Sequence, residues 1–368
     1  MRKIVVLSHR DIKHKEGGGA KLYVHEIFKR LVTNYDVTIL STGRPGLPSR
    51  ERVDGINIVR IPFPTMSRFA LPFSFLTRMT GRADIVVDNG DVVAPWLTPI
   101  YVRKPLISII YQVMANIFQY ELPASLANIA QKIEPWIYQI YRRTRIVACS
   151  PSTRSDLVHF GIPSDKISVI RPGIADSFIR FRGDGRRFDN PTIICVSRFR
   201  RYKGLRFAIA AMEHVLKRVP DARLIIAGSG DDSEIRREIS KTNYGDAIQI
   251  LNRLPHTWED EKKVLLSRSH VALVPSVREG YGIVVLEANA CGTPAIGWRV
   301  GGIKDSILDE VTGVLVPFND VEELGEQISN ILEDDQKREE MASRAVNWAR
   351  THSWDKASRE FADVIDSL

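Results

Sequence analysis

In the stretch Pro275-Ser276-Val277-Arg278-Glu279-Gly280-Tyr281-Gly282-Ile283-Val284-Val285-Leu286-Glu287, two carboxylates bracket two glycines. The apolar run His270 to Val274 just before it reads as a buried parallel strand, and the apolar residues from near Gly282 read as a helix. A strand, a glycine-broken loop and a helix make a corner where unpaired amides and the helix dipole attract phosphate. Glu279 falls ahead of the helix and Glu287 about five residues into it, which at ~1.5 Å per residue separates them by roughly 7–8 Å along the axis. That distance suits a nucleoside diphosphate sugar laid across the helix end. Glu287 stands alone among Val284, Val285, Leu286, Ala288, Ala290 and Cys291, where a carboxylate can accept both hydroxyls of a ribose. Glu279 would face the sugar, hold a hydroxyl and favour the positive charge that develops at the anomeric carbon as the diphosphate leaves. For each glutamate the competing reading is a solvated side chain favoured by the dipole.

A second cluster precedes another helix. In Ser197-Arg198-Phe199-Arg200-Arg201-Tyr202-Lys203-Gly204, four cations crowd ahead of a helix that begins near Leu205. Cations there oppose the macrodipole by about 0.3–1 kcal/mol each, so helix stability alone does not select them. A bound diphosphate reverses the sign; a solvated basic loop is the alternative. Gly17-Gly18-Gly19 opens a helix after the first strand and lets the backbone approach a ligand, although the dinucleotide-binding fingerprint is not met. Gly228-Ser229-Gly230 is a weaker signal of the same kind.

The glutamate pair, with seven residues between its members, continues into Leu286-Glu287-Ala288-Asn289-Ala290-Cys291-Gly292-Thr293-Pro294. This block resembles glycosyltransferase family 4, retaining enzymes of the GT-B type, and the resemblance extends over nearly the whole chain. It implies an α/β fold of two facing Rossmann-like domains with a cleft between them. It implies transfer of a hexose-type sugar from a nucleotide diphosphate sugar to a glycan or lipid-linked acceptor, with no cofactor and no metal. Carried over residue by residue, the catalytic groups are Glu279, Arg198 and Lys203. Donor contacts are Gly18, Gly19, Arg198, Lys203, Arg253, Leu254, Glu279, Gly280, Tyr281, Gly282, Ile283 and Glu287. The chain departs from the pattern at Tyr111, on the acceptor or sugar side, where relatives carry histidine, and at Arg253, where they carry glycine.

The 368 residues, 44% of them apolar, suffice for two α/β domains. The expected division is an acceptor-side domain over 1–172, a linker over 173–190 and a donor-side domain over 191–352, with a last helix near 353–368 packing back on the first. Cys149, Cys195 and Cys291 are scattered in apolar segments without disulfide or metal-ligand spacing, which fits a cytoplasmic protein. Asp231-Asp232 sits at a polar helix opening and lacks the setting of a Mg²⁺ site. The net charge is +8, and residues 1–180 hold 25 Lys+Arg against 14 Asp+Glu, or +11. Such a basic half suits an anionic membrane surface, a phosphorylated substrate or nucleic acid, or serves solubility alone; no nucleic-acid partner is expected from the resemblance. Phe69-Ala70-Leu71-Pro72-Phe73-Ser74-Phe75-Leu76, beside Arg68, Arg78 and Arg82, suits a membrane interface, a lipid-linked acceptor or packing on its own domain. Peripheral attachment at the inner face of the membrane therefore stays open.

Apolar runs place further strands at Ile4–Leu7, Val37–Leu40, Ile56–Ile61, Asp84–Val87, Pro105–Ile110, Arg145–Cys149, Ile167–Ile170, Thr192–Val196, Arg223–Ala227, Ala247–Leu251, Pro294–Gly297 and Val311–Val316. Ser125 to Tyr141 reads as a long helix interrupted near Pro135, with Trp136, Ile137 and Ile140 on an apolar face. Two rival functions differ in what they require. A two-domain dehydrogenase needs a glycine fingerprint and an acidic ribose residue about twenty positions on, and neither is present. A non-catalytic binder of nucleotide sugar or nucleic acid would share the cluster but not release diphosphate.

Overall fold

The computed structural model describes residues 1–14, 18–61, 80–90, 96–253 and 258–368. The segment Phe69 to Leu76, Gly17 and Leu254 lie outside these residues. The chain divides into two compact units: Met1–Ala115 with Asn128–Gly173 and Trp354–Leu368, and Asn116–Ala127 with Ile174–Ser353.

In the first unit the strands are β1 (Arg2–Leu7), β2 (Tyr35–Thr42), β3 (Arg50–Val53), β4 (Ile56–Ile61), β5 (Ile85–Asn89), β6 (Leu106–Ile110), β7 (Arg145–Ala148) and β8 (Ile167–Val169). Among the described residues they form one sheet in the order β3-β4-β2-β1-β5-β6-β7-β8. All neighbours are parallel except β3 and β4. Central strands such as β5 and β6 are buried at every position and mostly apolar for that reason, with Asp88, Asn89 and Ser108 as buried polar members. The helix Gly19–Leu31 buries Tyr23, Val24, Ile27, Phe28 and Leu31. The final helix Trp354–Asp366 lies against it, with Trp354 edge-on to Tyr23 at 5.8 Å and Phe361 edge-on to Phe28 at 5.2 Å.

The second unit holds β9 (Thr192–Arg198), β10 (Arg223–Ser229), β11 (Ile248–Asn252), β12 (Val271–Val274), β13 (Ala295–Trp298) and β14 (Gly313–Val316), all parallel, in the order β11-β10-β9-β12-β13-β14. This is the dinucleotide-fold order. Strand progression reverses between β9 and β12 here and between β1 and β5 in the first unit, and open α/β sheets bind ligands at the carboxyl ends of such a pair.

Two parts of the division differ from the sequence-based expectation. Residues 116–127 group with the second unit, where Tyr120 packs on its core and Glu121 pairs with Arg200 at 2.8 Å. Residues 174–190, polar enough to read as a linker, are also stitched into it. Phe178 is buried there, and the Arg187 guanidinium donates to the carbonyls of Ser267, Ser269 and Gly292 at 3.0, 2.7 and 2.8 Å. The antiparallel β3 was not anticipated, because Arg-Glu-Arg-Val carries almost no apolar signal. Its turn did carry one: Asp54-Gly55, with φ of 49° and 82°, is a two-residue turn of the tight hairpin type.

Candidate active site

The second unit brings its two sequence-predicted clusters together at the carboxyl ends of β9 and β12. After β9 a short turn, Arg201–Lys203, leads to Gly204, whose φ of 68° starts the helix Leu205–Arg218. After β12 the loop runs to Gly282, whose φ of 86° starts the helix Ile283–Ala290. The loops are pinned to each other by the Val277 N–H, which donates to the Tyr202 carbonyl at 2.8 Å. Gly204 lies so close to Pro275 that a Cβ on it would stand 2.0 Å from that carbonyl oxygen.

Lys203 and Glu279, 76 residues apart, meet at this junction: Nζ donates to Oε1 at 2.5 Å, and the Ser276 hydroxyl donates to the same oxygen at 2.8 Å. Both side chains are mostly buried. Burial alone would lower the Lys203 pKa; the Glu279 carboxylate outweighs it and holds the ammonium above its ordinary value. The four cations ahead of the helix are sorted by their partners. Arg200 pairs with Glu121 and Arg201 with Glu234, at 2.8 and 2.9 Å. Arg198 meets only the Tyr202 hydroxyl, at 3.2 Å, and has no carboxylate partner among the described residues. Of the four, Arg198 is thus the cation whose charge is not already met by a carboxylate among the described residues, while Lys203 shares its charge with Glu279.

Glu287, on the fifth residue of its helix, is buried, and its Oε1 accepts from Lys262 Nζ at 2.8 Å. Lys262 in turn lies over the Phe178 ring at 4.9 Å. Gly280, Tyr281 and Gly282 are buried and Ile283 is half-buried. The Tyr281 hydroxyl is 2.5 Å from His352 Nε2, so this side chain points to its own domain's C-terminal segment. Arg253 turns its guanidinium to Glu261 at 2.9–3.0 Å, and its N–H donates to Gly228; its side chain and amide are therefore both engaged.

In the first unit the helix Gly19–Leu31 is capped by Gly18 in extended backbone, a conformation open to any residue, so what the glycine offers is the absence of a side chain. The Tyr111 hydroxyl donates to Asn89 Oδ1 at 2.7 Å and lies 3.1 Å from the Ala20 carbonyl, which sets Tyr111 beside the Gly18-Gly19 segment. Burial raises its pKa well above the usual phenol value, and the hydroxyl is committed within the protein. Sequence reasoning passed over the group that fixes the preceding loop. Buried Asp11 accepts twice from Arg60, at 2.8 Å each, and from Ser41 at 2.6 Å. Burial would raise this carboxyl, but hydrogen bonds from His14, Arg60 and Ser41 hold it far below the carboxylate range. Lys21, whose pKa burial lowers to about 8, donates to the carbonyls of Ile12 and His14.

Also unanticipated were Ser276, Lys262 and the structural part played by Gly301-Gly302. The Gly302 N–H donates to the Glu279 carbonyl at 2.9 Å, and a Cβ on Gly302 would stand 2.1 Å from the Gly280 carbonyl oxygen. The glycine doublet was the available signal.

The order of the second sheet, its glycine corner and the cations facing it define a GT-B glycosyltransferase fold. "Glycosyltransferase Family 4" matches residues 17–178 and "Glycosyl transferases group 1" matches residues 179–348, and the chain belongs to this family of glycosyltransferases. Among its relatives is a D-inositol 3-phosphate glycosyltransferase of Salinispora tropica, 26% identical over 99% of this chain and 85% of that one. Another is the GDP-mannose-dependent alpha-(1-6)-phosphatidylinositol monomannoside mannosyltransferase of Mycolicibacterium smegmatis, 25% identical over 95% and 94%. In fold it matches Anabaena HepE in complex with UDP-glucose, with a TM-score of 0.79 at 18% identity over the full length of both chains. The sucrose-phosphate synthase of Thermosynechococcus elongatus matches at a TM-score of 0.82 and 19% identity, over 100% and 99%.

Lys262 offers a test that separates positioning from chemistry. Removing its charge while keeping its stem on Phe178, as in Lys262→Met, leaves the Glu287 carboxylate buried without its cation. Steady-state kinetics should show the donor KM rising about tenfold with kcat nearly unchanged, the pattern of lost uniform binding. Lys262→Arg should keep most of the affinity.

Proposed function

We propose that the chain is a retaining hexosyltransferase that moves a sugar from a nucleoside diphosphate sugar to a glycan or lipid-linked acceptor of the cell envelope, in the cytoplasm and without a metal ion. The reading rests on one observation: Lys203 and Glu279 joined at the strand-order reversal, beside a glycine-capped helix start. In this reading the helix amides, Arg198 and Lys203 take the diphosphate and offset the charge that grows on it as the glycosidic bond breaks. Glu279 faces the sugar, and Glu287 takes the ribose. Gly280, Tyr281, Gly282 and Ile283 present backbone to the phosphates, Arg253 and Leu254 flank the base, and Gly18, Gly19 and Tyr111 serve the sugar and acceptor side. Attack from the face the diphosphate leaves accounts for retention without a covalent intermediate. The acceptor proton passes to the departing phosphate oxygen.

A thermal-shift screen of nucleotide sugars tests the reading first. At a hundred times its dissociation constant the true donor should stabilise the protein by about 2.7 kcal/mol. The same donor should slowly yield free nucleoside diphosphate, at a rate EDTA leaves unchanged. If no nucleotide sugar shifts the transition the proposal falls; if one does so without any turnover, the protein is a binder and the proposal falls as well.

A further inference from the structure

The helix Ala124–Ile140 has two apolar faces, and the described residues cover only one. The inward face carries Ala127 and Tyr138, both buried, and Glu134, whose carboxylate accepts from the Met114 and Ala115 N–H groups at 2.5 and 2.7 Å. The outward face carries Leu126, Ile129, Ile133, Trp136 and Ile140, spaced three, four, three and four residues apart. They are 53, 54, 49, 75 and 36% exposed. The sequence reading anticipated an apolar face at Trp136, Ile137 and Ile140; the structure packs Ile137 partly against the core and turns Trp136 and Ile140 to solvent. A ridge of this size on a water-facing helix marks a contact surface.

Charge says what kind of contact. At roughly 100° of rotation per residue, Lys132 borders the ridge about 100° from Ile133, and Arg142 and Arg143 follow the end of the helix, all three exposed. Between Arg103 and Arg145 the chain has six basic residues, Arg103, Lys104, Lys132, Arg142, Arg143 and Arg145, and two acidic ones, Glu121 and Glu134. Both acids are occupied: Glu134 is buried on the inward face and Glu121 is paired with Arg200. The exposed charged side chains on this helix and directly after it, Lys132, Arg142 and Arg143, are therefore all positive. We propose that this helix docks on an anionic lipid surface, lying in the plane of the headgroups with Ile133 and Trp136 inserted and Lys132, Arg142 and Arg143 on the phosphates. Among the described residues no helix is long and apolar enough to cross a membrane, so the helix lies on the bilayer. A second copy of the chain fits this face less well, because a twofold contact along the ridge would bring two basic borders together. The surface is separate from the Phe69 to Leu76 segment and does not depend on the donor assignment.

Flotation of the full chain with phosphatidylcholine vesicles, with and without phosphatidylglycerol, tests it. The wild type should float only with the anionic vesicles, with a blue shift of tryptophan emission that Trp136→Phe diminishes. Ile133→Asp should abolish flotation, and Lys132→Glu combined with Arg143→Glu should weaken it about tenfold or more. These side chains are exposed, so the variants should keep the wild-type melting temperature and donor turnover in solution. The proposal is overturned if the wild type stays at the bottom with both vesicles, or if the charge reversal floats as well as the wild type. It is equally overturned if light scattering without lipid finds a dimer that Ile133→Asp dissociates, since the face would then join two copies.

Discussion

Lys203→Ala should lower turnover about 100-fold or more while leaving donor affinity within about tenfold, because removing one preorganised charge donor from a leaving-group site has that scale. The ammonium is mostly buried, and burial by itself works against its charge. What keeps it protonated is Glu279 at 2.5 Å. On the proposed reading Glu279→Gln therefore acts twice: it removes the carboxylate proposed to favour positive charge at the sugar, and it withdraws the support for the Lys203 charge. The sign of the second effect is fixed. In the wild type the Lys203 pKa is raised, so its protonated form persists past neutrality and is lost only as pH rises through that raised value. In Glu279→Gln burial and nearby Arg198 lower it against Tyr202, which alone still raises it, and the alkaline limb of kcat/KM should move toward neutral pH. A pH profile of the two variants separates these contributions. Glu279→Gln should lose at least about tenfold at its own optimum and more above it. Should Lys203→Ala keep more than half of the wild-type turnover, the cationic turn after β9 does not serve the leaving group.

Much of this corner was legible in the sequence, for a physical reason. Parallel strands covered on both faces are near-continuous apolar runs, so Val271–Val274 and Thr192–Val196 announced themselves, and glycine at a positive φ marked where each run turns into a helix. Pairings across long separations were not legible. Nothing local tells that Lys262 caps Glu287 from another helix, that Arg187 closes three carbonyls, or that Glu121 claims Arg200 and leaves Arg198 to the site. The polar composition of 174–190 is the same whether its arginine is solvated or enclosed. Tyr111 stood out as a departure from the family pattern, but only the structure commits its hydroxyl to Asn89.

Gly302→Ala should be nearly as damaging as loss of Lys203, although residue 302 carries no side chain that could touch a substrate. The added methyl would stand 2.1 Å from the Gly280 carbonyl oxygen, 2.4 Å from its carbon and 2.6 Å from the Tyr281 Cα. All three are backbone atoms of the corner, so no side-chain rotation relieves the overlap, and the loop must retreat by about 1 Å to recover ordinary contact. The same shift strains the hydrogen bond from the Gly302 N–H to the Glu279 carbonyl. Overpacking of this kind lowers stability by about 1–3 kcal/mol. The larger consequence is kinetic: a displacement near 1 Å between Glu279 and the helix start can reduce reaction about 100-fold. Assayed well below its melting temperature, the variant should lose kcat/KM on that scale. Gly81→Ala, where a Cβ meets nothing within 4 Å among the described residues, should change neither quantity. If Gly302→Ala melts early but turns over normally when cold, the doublet serves stability alone. The positions of the two glutamates would then be set by the Lys203 and Lys262 pairs, and the Lys262→Met variant should show the larger kinetic loss of the two.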